Sequence, residues 1–226
     1  MEQKEQLTII LQAVAKAFGE FSGQFRWGKT SGALLEPFMC SLGDSLGAFS
    51  IQYDYIWGAD TCGVDGVTQA DYIPQEGDTV IMDISVGKNG VWCDVCRTFF
   101  AGRFNPEQAQ VYHMIRNSIR AGEQKLRAGS QVGAIYDAVN AVYENNGKTL
   151  IHHAGHRIGE GPLEPPFFVA KGEQLLKNGC FYTIESGCYD NFGIRLENDY
   201  HITDAGAENL FENLMSLDIK EYVLHE

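Results

Sequence analysis

The sequence predicts an α+β fold, and three observations carry that expectation. Hydrophobic periodicity runs in blocks: helical, then strand-like, then helical, then strand-like again. Two strand–turn–strand segments, near 79–100 and 181–203, each come after helical segments, which suggests two related halves. The 226 residues, 44% of them apolar, suffice for one large domain or two small ones with a substantial core.

Residues 5–24 read as a first helix, with Ile10, Val14, Phe18 and Phe21 on one face. A second follows Ser31, with Leu34, Leu35, Phe38, Met39 and Leu42 as its stripe. Residues 48–57, rich in aromatic and β-branched side chains, read as a strand. Gly77-Asp78 opens a hairpin with strands near 79–86 and 91–100. Asn105-Pro106-Glu107 supplies a cap, a first-turn proline and an acid. Val111, Met114, Ile115, Ile119 and Leu126 then form a helix face ending near Gly129. Ser130 is expected to cap a fourth helix, with Val132, Ile135, Tyr136, Val139 and Tyr143 inward and Asn145-Asn146-Gly147 as its stop. A loop rich in Gly and His leads to strands at 181–189 and 193–203, and 214–223 reads as a tail. Trp27, Tyr53, Tyr55 and Trp57 read as core or as interface, with core favoured because aromatic strand residues usually pack inward.

The net charge of −13 argues against nucleic acid and anionic membrane surfaces as partners. The apolar stretch 7–17 is too short to span a bilayer and follows acids rather than a basic region, so it makes a poor signal peptide. A cytoplasmic location with reduced thiols is the resulting expectation. Cys93 and Cys96 match CxxC by letters, but three residues apart on a strand they point to opposite faces, which disfavours a zinc knuckle or redox pair.

Acids interrupt the apolar strands. Asp83 and Asp94 lie on the first hairpin, in direct opposition if its turn is Lys88-Asn89 and on a diagonal if it is Asn89-Gly90. Either register points both carboxylates to one face, although the pair alone reads equally well as two solvated aspartates. Glu185 interrupts Phe181-Tyr182-Thr183-Ile184, and Glu197 shares a strand face with Arg195, which is placed to orient the carboxylates. His152, His153 and His156 stand beside Gly155 and Gly159, which would let the backbone approach a ligand closely. Four carboxylates and an imidazole at apolar positions repel and desolvate one another, and a divalent metal is the usual remedy. His113, His201 and His225 lack such company and are taken as structural.

The order Asp83, Asp94, Gly155-His156-x-Ile158-Gly159, Ile184-Glu185 and Arg195-Leu196-Glu197 resembles the methionine aminopeptidase, prolidase and creatinase family. Gly77-Asp78, Asp94-Val95-Cys96-Arg97-Thr98 and Glu164-x-Pro166 agree with it, and the resemblance covers about residues 7–210. It implies the pita-bread fold, a pseudo-symmetric curved antiparallel sheet backed by helices. It implies two divalent ions (manganese, cobalt, zinc or iron) ligated by Asp83, Asp94, His156, Glu185 and Glu197. Glu185 would move the proton of a metal-activated water, and His152 matches a histidine that contacts substrate. Residues 1–226 are expected to form a single catalytic-type domain without the N-terminal domain that prolidase-like members often carry. Family members are often dimers, so a homodimer is a further expectation.

Two positions depart from the pattern. Family peptidases usually carry a histidine where this chain has Asp65, in Val64-Asp65-Gly66, and another where it has Leu163, in Leu163-Glu164. Each lost donor near the oxyanion is worth about 10²–10³-fold in rate. Asp65, Leu163 and Arg195 are therefore assigned to the substrate side, with Asp65 suited to an amine and Leu163 to an apolar pocket. The leading expectation is a hydrolase of a short peptide or small amide, resembling an Xaa-Pro dipeptidase or aminopeptidase. The alternatives are a metal-binding pseudo-peptidase and a non-peptide hydrolase or lyase on the same fold.

Overall fold

Four helices back one face of an eight-stranded sheet in the computed structural model, which describes residues 2–225. The chain runs α1 (Gln3–Gly23), α2 (Ser31–Leu46), β1 (Ser50–Trp57), β2 (Thr79–Lys88) and β3 (Val91–Ala101). It continues through α3 (Pro106–Glu123), α4 (Val132–Asn145), β4 (Arg157–Ile158), β5 (Phe181–Tyr189) and β6 (Gly193–Thr203), and ends with β7 (Gly206–Asn209) and β8 (Val223–Leu224). The sheet order is β1-β2-β3-β6-β5-β4, with β7 beside β6 and β8 parallel to β3.

Each half is therefore two helices followed by three strands, and the halves meet along β3 and β6. That seam carries a single ladder pair, Cys96 with Glu197. Side chains do the remaining stitching. The guanidinium of Arg97, fully buried, donates to the Glu197 carbonyl at 2.7 Å, to Asn198 Oδ1 at 2.8 Å and to Met215 O at 2.8 Å, with its Nε on the Tyr222 hydroxyl at 3.0 Å. Thr98 Oγ1 donates to Arg195 O at 2.8 Å and accepts from Arg195 N at 2.9 Å.

The core fills the helix side. Leu7, Ile10, Leu11, Val14, Phe18 and Phe21 of α1 meet Val80, Met82, Ile84, Val95 and Phe99 of the sheet. Ser118 of α3 and Tyr143 of α4 both hydrogen-bond the Ser186 hydroxyl of β5, at 2.6 Å each. Asn105 caps α3 as its letters predicted, and Gln108 completes a capping box that they did not announce. The expected Ser130 cap is instead Gln131; the Ser130 hydroxyl turns back to Lys125 O at 2.6 Å, so it serves the preceding turn. Tyr55 and Trp57 are core residues, but Trp27 is 37% exposed and Tyr53 half-buried, so the aromatic group is split. Cys93 belongs to the main core and Cys96 to a small cluster on the opposite face with Ile56, Ile81 and Tyr189, as strand alternation requires. All six cysteines are free. Among the described residues no helix is long and apolar enough to cross a membrane.

Candidate metal centre

Cross-strand pairing assembles the acids in rows. The central row reads Asp54, Asp83, Cys96, Glu197 and Glu185, from β1 through β2, β3 and β6 to β5. The next begins with Gln52, Ser85 and Asp94 and ends with Asp199 and Thr183. There the Asp199 carboxylate accepts the Asp94 N–H, at 3.2 Å to its nearer oxygen, in place of a ladder bond. Directly paired residues of antiparallel strands project to one face, so all four predicted carboxylates share the face opposite the helices. The first hairpin takes the Asn89-Gly90 turn, with both φ angles positive (54° and 78°), and Asp83 and Asp94 lie on the diagonal. Ser85, opposite Asp94, donates to its Oδ1 at 2.8 Å.

His156 reaches this face from a loop laid along β5. Thr183 N donates to His156 O at 2.8 Å, and Glu185 N to Ala154 O at 3.2 Å. Gly155, at φ +142°, passes so close that a Cβ there would stand 2.2 Å from Thr183 O. A Cβ at Gly159 would meet the Glu164 carboxylate at 2.1 Å. The two glycines thus answer crowding from the protein itself, not the approach to a ligand that the sequence suggested.

Asp94, His156 and Glu197 have ligand atoms within 4.8 Å of one another, and all three are buried. His156 Nδ1 lies 3.1 Å from Arg157 O, which leaves Nε2 facing Asp94 Oδ2 at 3.6 Å and Glu197 Oε1 at 3.5 Å. Those separations exceed a hydrogen bond and suit ligands around one ion. Glu197 Oε1 is buried without a hydrogen-bond partner. An orphaned carboxylate oxygen beside a directed imidazole nitrogen is the donor set a divalent cation fits.

Asp83 and Glu185 flank that trio and are engaged differently. Arg195, itself buried, donates from Nη1 to Asp83 Oδ2 at 2.7 Å and to Asp54 Oδ2 at 3.3 Å, and from Nη2 to Val64 O. Glu185 Oε1 stands 2.8 Å from His153 Nδ1, and its Oε2 stands 3.7 Å from His152 Nδ1. Burial drives the acids apart in acidity. It lifts Asp94 and Glu197 well above the carboxylate range, reinforced by each carboxylate's acidic neighbours. Burial also lifts Asp83 to about 6 against the pull of Arg195. At Glu185 burial pushes the same way, but His153, His152 and His156 together overcome it and hold the group at about 2.

A cavity of about 340 Å³ opens over this face, lined by Asp83, Asp94, His156, Glu185 and Glu197 together with Asp65, Leu163 and Arg195. Leu163 is 54% exposed on its wall. The structure thus gathers the five expected ligands with Asp65, Leu163 and Arg195 around one cavity, but not His152, which was expected to contact substrate. His152 lies behind Glu185, with Nδ1 2.7 Å from His153 O and Nε2 3.2 Å from the Tyr189 hydroxyl; its neighbour His153 lines the cavity. Sequence reasoning missed Asp54, Ser85 and Asp199. Ser85 follows from the hairpin register, whereas Asp54 and Asp199 depend on pairings between distant segments that no local pattern announces.

The same fold occurs in solved structures. The prolidase from Pyrococcus furiosus superposes with a TM-score of 0.86 over 93% of this chain and 64% of that one, at 21% identity. Dipeptidase PepE from Mycobacterium ulcerans superposes at 0.82 over 90% of this chain and 56% of that one, at 25% identity. The fold is the pita-bread fold of such enzymes. In sequence, the chain is 31% identical over 137 residues to the protein named "Putative dipeptidase YkvY" from Bacillus subtilis, covering 59% of this chain and 38% of that one. The chain spans about two fifths of the length of such curated relatives (38% and 42%). The family model described as "Metallopeptidase family M24" matches residues 5–204, a span that holds every carboxylate and histidine of this centre, and the chain belongs to that family.

Proposed function

We propose that this chain is a metal-dependent hydrolase of short peptides or related amides, similar in chemistry to an Xaa-Pro dipeptidase or aminopeptidase. The observation that carries the reading is the buried Asp94–His156–Glu197 trio, flanked by Asp83 and Glu185 on one cavity wall. These five residues would hold two divalent ions, drawn from manganese, cobalt, zinc or iron. When bound, the ions supply a water of lowered pKa and a positive charge for the scissile carbonyl.

The chain's own residues do the rest. Glu185 takes the proton from the attacking water and returns it to the leaving nitrogen. His152, 3.7 Å from Glu185 Oε2, acts with it in handling that proton. Arg195 fixes Asp83 and is thereby a positioning residue at the substrate wall. Asp65, exposed on the cavity lining, suits a substrate amine, and Leu163 an apolar side chain. Residues 1–226 act as one catalytic-type domain in this reading, with a homodimer as its assembly.

One observation favours a second reading. Leu163 cannot donate a hydrogen bond, and Asp65 adds negative charge to a wall that already holds five carboxylates besides it, with Asp54 counted. A non-peptide reaction, or metal-dependent binding without turnover, fits that loss of donors.

Turnover of Xaa-Pro, Met-Xaa and proline-free peptides, with manganese, cobalt, iron or zinc supplied in turn, decides between them. Glu185→Ala serves as the blank. Metal-dependent cleavage that the blank lacks is expected; cleavage that survives in Glu185→Ala would sink the proton-transfer role. Silence from folded, metal-loaded protein across the panel would select the second reading.

A further inference from the structure

The geometry points to His153 as a further metal ligand of this centre, an inference that rests on the metal-dependent reading above. His153 Nδ1 is buried and has no hydrogen-bond partner, although Glu185 Oε1 is only 2.8 Å away. This pairing ties Nδ1 to the carboxylate alone, and an ion bound between the two groups would replace it by taking both atoms as ligands. Two donor atoms each about 2.1 Å from one ion, and about 85–110° apart, stand roughly 2.8–3.4 Å from each other. The His153–Glu185 separation lies in that range, and the 3.5 and 3.6 Å separations around His156 Nε2 fall just beyond it.

Ring placement agrees. The imidazoles of His153 and His156 lie 5.6 Å apart at an interplanar angle of 87°, and both line the cavity that holds the carboxylates. Phe167 packs against both rings, at 5.2 Å from His153 and 6.3 Å from His156, and fixes them from behind. His152 makes the contrast. Its two nitrogens are taken by His153 O and the Tyr189 hydroxyl, so it has none to offer an ion without breaking a contact.

The consequence is a change in metal preference. Oxygen ligands with a single imidazole suit manganese well, and a second imidazole moves the set toward zinc, cobalt or iron. His153 therefore makes this centre richer in nitrogen than the five predicted ligands alone, and acts as a selector among ions rather than as a mover of protons.

The test needs no substrate. Wild type, His153→Ala and His152→Ala are loaded with cobalt(II), the imidazole ligands are counted by X-ray absorption, and zinc and manganese affinities are measured by calorimetry. The expected result, normalised per protein chain rather than per cobalt ion, is two imidazole ligands in wild type and in His152→Ala, and one in His153→Ala. Zinc affinity should fall in His153→Ala by at least the roughly 10–100-fold that losing a mere supporting residue causes, and manganese affinity by less. His153→Gln, which keeps the bulk at this partly exposed position, should repeat the loss if the alanine variant folds poorly. An unchanged imidazole count in a folded His153 variant, or a count of one in wild type, overturns the assignment while leaving the metal centre standing. Failure of wild type to bind cobalt, zinc or manganese overturns both.

Discussion

The two halves of the sheet deliver the same kind of side chain by different registers. In the second half Glu185 and Glu197 are direct cross-strand partners, joined by a connection of three residues between Tyr189 and Gly193. In the first half the tight Asn89-Gly90 turn sets Asp83 opposite Cys96 and Asp94 opposite Ser85, so the two aspartates stand in neighbouring rows. The second half also supplies His156, from a loop pinned along β5, whereas the segment after β1 supplies Asp65 and no imidazole. The comparison teaches that the halves divide the labour. The first contributes offset carboxylates on a rigid hairpin, and the second contributes the directed nitrogen and the directly opposed glutamates. The centre exists only where they meet, at a seam with one ladder pair and many side-chain ties.

The strongest way to break the comparison is to remove the tie between the halves. Arg97→Met leaves the Glu197 carbonyl, Asn198 Oδ1 and Met215 O without their donor. Breaking such a buried network should cost about 3–5 kcal/mol in urea unfolding. A loss below about 1 kcal/mol would show that the Arg97 ties add little to the seam. Gly155→Ala tests the second half's loop. At φ +142° and 2.2 Å from Thr183 O, the new Cβ should cost about 1–3 kcal/mol and weaken metal retention after dialysis, because His156 is the next residue. Unchanged retention would mean that the ion does not depend on the His loop.

A smaller effect sets Glu185 apart from the other acids by pH. Asp83 has a folded pKa of about 6, raised from 3.8, and Asp94, Glu197 and Asp199 are raised as well. A raised folded pKa means that the folded state prefers the protonated acid, so the stability it carries is full below the unfolded value and drains as pH rises through the folded one. Glu185, depressed to about 2, has the opposite sign and acts only as pH falls below its ordinary 4.5. The metal-free protein should therefore lose Tm by a few degrees, roughly, between pH 5 and pH 8, and bound metal should flatten the slope because it takes the ionised carboxylates. A metal-free Tm that rises over that range would contradict the burial argument.

Much of this was legible in the sequence because it is local. The strands at 181–189 and 193–203, the helix start at Asn105 and the shared face of Asp83 and Asp94 all follow from periodicity and turn chemistry within a few residues. The family resemblance rested on the same local words, and the family match bears it out. What escaped was what distant segments decide. Asp54 enters the central row because β1 pairs with β2 across a long connection, and Asp199 meets Asp94 only because β3 and β6 abut. Strands as short as β4, β7 and β8 borrow their shape from a neighbour, so their own letters carry no pattern. The Ser130 cap failed for a similar reason, since the hydroxyl had a carbonyl at Lys125 within reach.

The thinly laddered seam also has a mechanical meaning. A sheet pulled across β3 and β6 would part there first, since one backbone bridge and a handful of side-chain tethers must carry the tension. An ion held by Asp94 on one side and by His156 and Glu197 on the other would act as a rivet through that joint. The same atoms that would bring a water to reactivity would then set the force at which the two halves separate.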